Sequence, residues 1–307
     1  MFRLAHVTDP HFRAFGLAGL SLRGLLGKRL LGAANIVVNR WRKHRMDLLE
    51  SLGQHLAAQR PDHVALTGDV GNVAWVSEWQ AGRRWLERYA GPPADVTVIP
   101  GNHDAYVNDV TRTGAFESLF AAYQHAERGG GGAAGTDSRE AYPFVRVRGP
   151  LALVAVNTCV PTGDFGAWGE IGPAQLRRLE AILGDDDVRR RVRVVLMHHP
   201  PVVHRKGEDR NLRDRGALAE VLARVGADLV LHGHDHRDEA AVLEGPRGSR
   251  IMAVGAGSAS YAGPAEGRAR YNVYGFREDG RGIELHTYAH DARERSFVEV
   301  SRKTLAP

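Results

Sequence analysis

Cysteine is almost absent from this chain. The single Cys159 among 307 residues excludes an intrachain disulfide, which suits a reducing compartment. It follows the apolar run Leu151 to Val156 and reads as a small core residue rather than a nucleophile. Long apolar runs are missing too: no stretch approaches the roughly 18 to 20 residues of a membrane span. The N-terminus lacks the pattern of a leader peptide, because Phe2 to Val7 already reads as a first strand with Asp9 and His11 directly behind it. Together these point to a cytoplasmic protein. No run of aromatics is spaced for base stacking, so nucleic acid is not the expected partner, although a net charge of +5 favours anions in general. Acidic residues vanish locally. Between Asp9 and Asp47 there is none, against eight Lys/Arg: Arg13, Arg23, Lys28, Arg29, Arg40, Arg42, Lys43 and Arg45.

What is present is ample for one large core: 43% hydrophobic and 25% charged residues. Strand-like runs at Leu4 to Val7, His63 to Leu66, Val96 to Ile99, Leu151 to Val156, Val192 to Met197 and Asp228 to Leu231 alternate with helical patterns. The helices are expected near 44–59, 75–90, 113–126, 173–184 and 214–225, with Pro173 and Asp214 as start signals. Beyond residue 236 the pattern turns to strands, near 240–244, 250–254, 271–277 and 282–289. Alternation first and strands later predicts an α/β layered protein with a mixed sheet, a single domain over 1–307 carrying a basic insert at about 12–45. In that insert Leu22, Leu25, Leu26 and Leu30 share one helical face. It reads as a solvated basic cap or, more sharply, as a basic amphipathic element for membrane lipid or an acyl substrate at residues 16–45. The stretch Gly129 to Gly135 lacks the Lys-Ser/Thr ending of a phosphate loop and reads as a surface loop, and Gly255-Ala256-Gly257 reads as a turn leading out of a strand.

The chemistry sits just behind the strands. Asp9-Pro10-His11 follows the first, Gly68-Asp69 the second, Gly101-Asn102-His103-Asp104 the third, His198-His199-Pro200-Pro201 the fifth and Gly233-His234-Asp235-His236 the sixth. In an α/β sheet, ligands bind at the carboxyl ends of the strands, so these segments can converge on one rim. They offer carboxylate, amide and imidazole donors and no thiolate, a mixture suited to manganese, iron, zinc or cobalt. A carboxylate such as Asp69 can bridge two ions, and two adjacent ions can clamp an in-line displacement. Gly68, Gly101 and Gly233 are expected to let the backbone turn sharply beside them.

In these motifs, in this order, the chain resembles the calcineurin-like metallophosphoesterase superfamily, from Asp9 to His236. The resemblance implies a four-layer sandwich of two mixed β-sheets flanked by helices, and two metal ions with manganese as the expected active form. One ion is implied on Asp9, His11, Asp69 and His236. The other is implied on Asp69, Asn102, His198 and His234. His103 matches the family's substrate-facing histidine, and Asp104 is expected to orient it by accepting its other N–H. His199 is expected behind the site; His6 and His232 read as structural, as does His204. The motif set is similar to class III cyclic nucleotide phosphodiesterases, which makes a small phosphate ester the first expected partner. A lipid-linked nucleotide is the second, by similarity to UDP-2,3-diacylglucosamine hydrolases working at the inner face of the membrane. A non-catalytic scaffold on the same fold is the reading of another class.

Overall fold

The computed structural model describes residues 1–13, 43–129, 138–163, 166–203, 208–263, 268–277 and 282–305. Most of the basic insert, most of the Gly129–Gly135 stretch and His204 lie outside the described residues.

The first strand, β1 (Phe2–Val7), alternates with helices α1 (Met46–Gln59) and α2 (Val76–Tyr89) and with strands β2 (His63–Thr67) and β3 (Val96–Ile99). These three strands run parallel, as helical crossovers require. Sequence patterning predicts one helix over 113–126; the chain instead makes α3 (Asn108–Thr113), α4 (Ala115–Leu119) and a 3-10 turn at Ala121–Tyr123. Gly114, at φ 59°, breaks the run. Next come β4 (Arg128–Gly129), β5 (Phe144–Arg148), β6 (Leu151–Ala155), α5 (Pro173–Gly184), α6 (Asp186–Arg189), β7 (Val192–Leu196), α7 (Arg215–Val225), β8 (Leu229–His232), β9 (Glu239–Glu244) and β10 (Arg250–Gly255). The chain closes with β11 (Arg270–Phe276), β12 (Ile283–Asp291) and β13 (Ser296–Leu305).

Two mixed sheets result, with strand orders β13-β12-β11-β1-β2-β3 and β4-β5-β6-β7-β8-β10-β9. The tail strands therefore divide. β9 and β10 complete the second sheet, whereas β11 returns antiparallel to β1 and completes the first.

Period-2 alternation in buried strands explains the layering. Val64 and Leu66 of β2 face one way, onto Leu48, Leu49, Leu52 and Leu56 of α1 and onto Trp79 and Leu86 of α2. Ala65 faces the other way, into an apolar layer shared with Leu151, Leu153, Leu196 and Leu231 of the second sheet. The far face of that sheet, including Ala152, Val154 and Val230, packs on Leu176, Leu179 and Leu183 of α5 and on Leu218, Val221 and Leu222 of α7. Three apolar interfaces separate four layers: helices, sheet, sheet, helices.

Pro173 opens α5 as the sequence suggests. Asp214 stands at the N-cap of α7 but makes no side-chain cap there. Its carboxylate instead accepts the N–H groups of Ile171 (3.0 Å) and Gly172 (2.7 Å) at the entry to α5, fastening one helix start to the other. Among the described residues no helix is long and apolar enough to cross a membrane.

Candidate metal centre

All five motif segments reach one rim, at the carboxyl ends of β1, β2, β3, β7 and β8. The backbone there is strained in a telling pattern. Asp9 (φ 50°), His11 (φ 49°), Asp69 (φ 54°), His234 (φ 73°) and His236 (φ 55°) all occupy the left-handed region. Such conformations cost on the order of 1–3 kcal/mol each in non-glycine residues and persist where surrounding contacts enforce them. Here the enforcing contacts are backbone bonds between motifs: Asp9 N–H to Gly68 O (3.1 Å) and His11 N–H to Asp69 O (3.0 Å). The expectation that the neighbouring glycines do the turning holds for Gly68, at φ 94°. Gly101 serves differently: a Cβ there would collide with the backbone nitrogen and carboxylate of Asp69. Gly233 likewise leaves room for Thr8 and Asp9.

The side chains form two adjoining clusters. In the first, the ligand atoms of Asp9, His11, Asp69 and His236 all lie within 4.8 Å of one another. His11 Nε2 and His236 Nε2 approach to 3.2 Å, and His236 Nε2 lies 3.2 Å from Asp9 Oδ1. In the second, Asn102 Oδ1 lies 3.1 Å from His198 Nε2 and 2.9 Å from His234 Nδ1, three acceptor atoms turned toward one point. Asp69 stands between them, with Oδ2 3.6 Å from His11 Nε2 and Oδ1 3.5 Å from His198 Nε2. One carboxylate thus shows one oxygen to each cluster.

These donors fit divalent cations. Asp9 Oδ2 accepts from Thr8 Oγ1 (2.7 Å) and from the His234 N–H (3.0 Å). Oδ1 is wholly buried and, among the described residues, faces no donor of good hydrogen-bond geometry, only the His236 Nε2 at 3.2 Å, a costly arrangement unless a cation lies between them. Burial pushes the Asp9 carboxyl up, but His236, His198 and the Thr8 hydroxyl together hold it far below the ordinary carboxylate range. Burial lowers His198, and it lowers His234 strongly, so these imidazoles stay neutral, the form that ligates metal. The ring nitrogens turned away from the clusters rest on backbone carbonyls: His11 Nδ1 on Gly71 O (3.2 Å), His198 Nδ1 on Thr67 O (2.8 Å) and His234 Nε2 on Arg210 O (3.0 Å). A carbonyl can only accept, so each bond fixes the tautomer that presents a lone pair inward.

His103 stands beside His11, ring centroids 5.2 Å apart, and its backbone N–H donates to Asp69 Oδ1 (2.8 Å). Its orienting partner corrects the sequence expectation. The acceptor for Nδ1 is the Asn72 carbonyl at 2.6 Å, not Asp104. The Asp104 carboxylate takes the N–H groups of Val70, Gly71 and Gly101 (2.9 Å each) and the Trp79 indole N–H (2.8 Å). Burial raises that carboxyl to about 6, with the backbone N–H groups pulling the other way. Asp104 is a clasp joining the second and third motif loops.

His199 is buried behind the second cluster, with Nδ1 on Thr158 Oγ1 (2.8 Å), Nε2 on Ala167 O (3.1 Å) and its ring 4.4 Å from that of His234. His6 lies inside, on Thr67 Oγ1 (2.8 Å), and His232 is buried at the end of β8; neither belongs to the clusters.

Three contributors carry no motif. Asn72 ties the first motif to the second, its Nδ2 donating to His11 O (3.1 Å) and Phe12 O (2.9 Å). Ser258, past the Gly255–Gly257 turn, donates to Asp9 O (2.7 Å). His44 reaches the first cluster from the exit of the basic insert, its ring centroid 4.4 Å from His11 and 5.5 Å from His236. Only the mixed strand–turn character of 250–260 hinted at Ser258; nothing in the sequence marked Asn72 or His44.

A family model described as calcineurin-like phosphoesterase matches residues 2–238. The chain belongs to that family. No curated protein matches its sequence significantly. Among solved structures, a dimetal phosphatase from Danio rerio is similar, with TM-score 0.63 and 14% identity over 99% of this chain and 98% of that one. A purple acid phosphatase from yellow lupin seeds also gives TM-score 0.63, at 12% identity over 99% of this chain and 53% of that one. GAP50, an anchor in the inner membrane complex of Plasmodium, gives 0.53 at 12% identity over 99% of this chain and 88% of that one. At such identities the likeness is one of fold.

Proposed function

We propose that the chain is a binuclear metal-dependent phosphoesterase that hydrolyses a phosphodiester or pyrophosphate bond in a small molecule, cyclic nucleotide-like substrates first. The observation that carries this reading is the pair of donor clusters sharing Asp69. One ion is assigned to Asp9, His11, Asp69 and His236, the other to Asp69, Asn102, His198 and His234. Manganese is the expected active form. When bound, the ions supply Lewis-acid charge and lower the pKa of water. The protein's part is placement. His103 keeps its Nδ1 proton on the Asn72 carbonyl; in its doubly protonated form the Nε2–H faces the substrate and is given to the leaving oxygen or hydrogen-bonds the phosphate. Asp104 acts through the loops it clasps.

A second reading, a lipid-linked pyrophosphatase acting at the inner membrane surface, is favoured by the basic insert. Its exit is seated at the centre itself: Ala262 N–H bonds Lys43 O (2.6 Å) and Arg45 N–H bonds Ser260 O (2.9 Å). Lys43 to Arg45, the end of that insert, therefore stand beside the first cluster. The scaffold reading, for which the Plasmodium anchor is a precedent in fold alone, does not account for the inward lone pairs.

The test compares two reactions of the Mn²⁺-loaded chain under one set of conditions: hydrolysis of 3′,5′-cyclic AMP, and cleavage of UDP-2,3-diacylglucosamine in mild detergent. Turnover of the first alone supports the soluble phosphodiesterase. Cleavage of the second with UMP release replaces it with the lipid reading. Failure on both and on bis(p-nitrophenyl) phosphate, with both ions bound, would leave the scaffold.

A further inference from the structure

His44 is not in any of the five motifs, yet its surroundings are those of a metal-centre residue. It is 4% exposed, although it lies between Lys43 and Arg45 in a basic run. An isolated antiparallel bridge pairs it with Tyr261. The two backbone bonds from Ala262 and Arg45 hold that bridge from either side. Its Nδ1 meets the Ser260 hydroxyl at 2.8 Å, and Ser260 is itself fully buried. As at His11 and His198, Nδ1 has a partner outside the cluster, here a hydroxyl that can donate or accept rather than a carbonyl.

The ligand atoms of His11, His44 and His236 lie within 4.8 Å of one another. That group overlaps the group of Asp9, His11, Asp69 and His236 through two shared imidazoles. An ion held on the shared pair therefore finds carboxylate oxygens on one flank and a third imidazole on the other. An added nitrogen donor strengthens the hold on borderline ions.

We propose that His44 is a further nitrogen donor to the ion on the Asp9 side, positioned by Ser260, so that the exit of the basic insert is part of the metal centre. The inference rests on the binuclear reading above and extends it. Occupancy of one ion site, but not of the other, then depends on how Lys43–Arg45 is seated on Ser260–Ala262.

The test is calorimetric titration of Mn²⁺ into the metal-stripped full chain. The wild type is expected to take up two ions. His44→Ala should weaken one of the two by roughly 10-fold or more, the scale of losing a partner that supports a metal site, and leave the other as it was. Ser260→Ala should shift the same ion in the same direction by less. With Co²⁺ in place of Mn²⁺, His44→Ala should also change the visible absorption of the bound ion, which a merely structural residue would not. Two unchanged affinities in His44→Ala overturn the proposal. Should that variant fail to fold, two unchanged affinities in Ser260→Ala overturn it equally. Fewer than two ions on the wild type would instead sink the binuclear reading itself.

Discussion

The two halves of the metal centre are built differently. On the Asn102 side the imidazoles are set into the protein. His198 is fully buried, His199 stands behind as a brace, and the outward nitrogens end on backbone carbonyls. On the Asp9 side the His236 side chain is 26% exposed, and His44 arrives from the end of a long basic insert. One half is fixed by the layered core and the other is completed by a peripheral segment. A fold that serves many functions can keep the first half constant and vary the second.

The largest effect should come from removing what the halves share. Asp69→Ala takes one oxygen from each cluster and the acceptor of the His103 N–H. Both ions and activity should go together, a loss beyond the roughly 10²–10³-fold of a single stabilising donor. Retention of one tightly bound ion would show the halves to be independent. Next is His103→Ala, which removes a ring beside His11 but none of the assigned ligands. Turnover should fall by about 10²–10⁴-fold with both ions kept, and an unchanged rate would remove His103 from the mechanism.

On both halves the donors directly behind a strand were legible in sequence, for a physical reason. Strand, turn and donor lie next to one another in His198–His199 and Gly233–His236, so local pattern implies placement. The same adjacency misled at His103-Asp104. Consecutive side chains on a turn need not meet, and four N–H donors from residues 70, 71, 79 and 101 outcompete the neighbouring imidazole for the carboxylate. His44 and Asn72 were invisible because their placement depends on long-range pairing, with Tyr261 in one case and with the first motif in the other. In the fold, the parallel strands were readable as apolar runs buried on both faces. β13 was not: half of its residues are exposed on a sheet edge, which dilutes the apolar signal.

A smaller perturbation should separate the halves. His199→Ala removes the ring beside His234 without removing a ligand. The ion on the Asn102 side should bind roughly 10-fold more weakly, while its companion is untouched, as titration of the stripped protein would reveal. This is the mirror image of His44→Ala. If both substitutions weakened both ions, the centre would behave as one cooperative unit and the contrast between a fixed and a completed half would fail.

Acid is the condition in which the halves are easiest to confuse with the fold. Protonation of ligand imidazoles releases metal, yet the fold has its own acid weakness far from the ions. His63, at the start of β2, is fully buried with Nε2 on Thr97 Oγ1 (2.8 Å). Burial first, then Arg146 and Arg148, depress it to about 2. The sign follows from proton uptake. Below its ordinary value of 6.5 the unfolded chain binds a proton that the folded chain refuses down to about 2, so stability is complete above 6.5 and is lost as pH falls through that window. The slope is about 1.4 kcal/mol per pH unit for one such group. Stability of the metal-free chain, followed by urea unfolding between pH 7 and 5, should therefore fall on acidification, and His63→Gln should remove one proton's worth of that slope. Its metal affinities at pH 7 should match the wild type, because His63 starts β2, level with Leu4 of β1, whereas Asp9 and Asp69 lie beyond the far ends of those strands. An unaltered slope in His63→Gln would mean that the acid sensitivity belongs to other groups, such as His6, which burial depresses to about 3 much nearer the site.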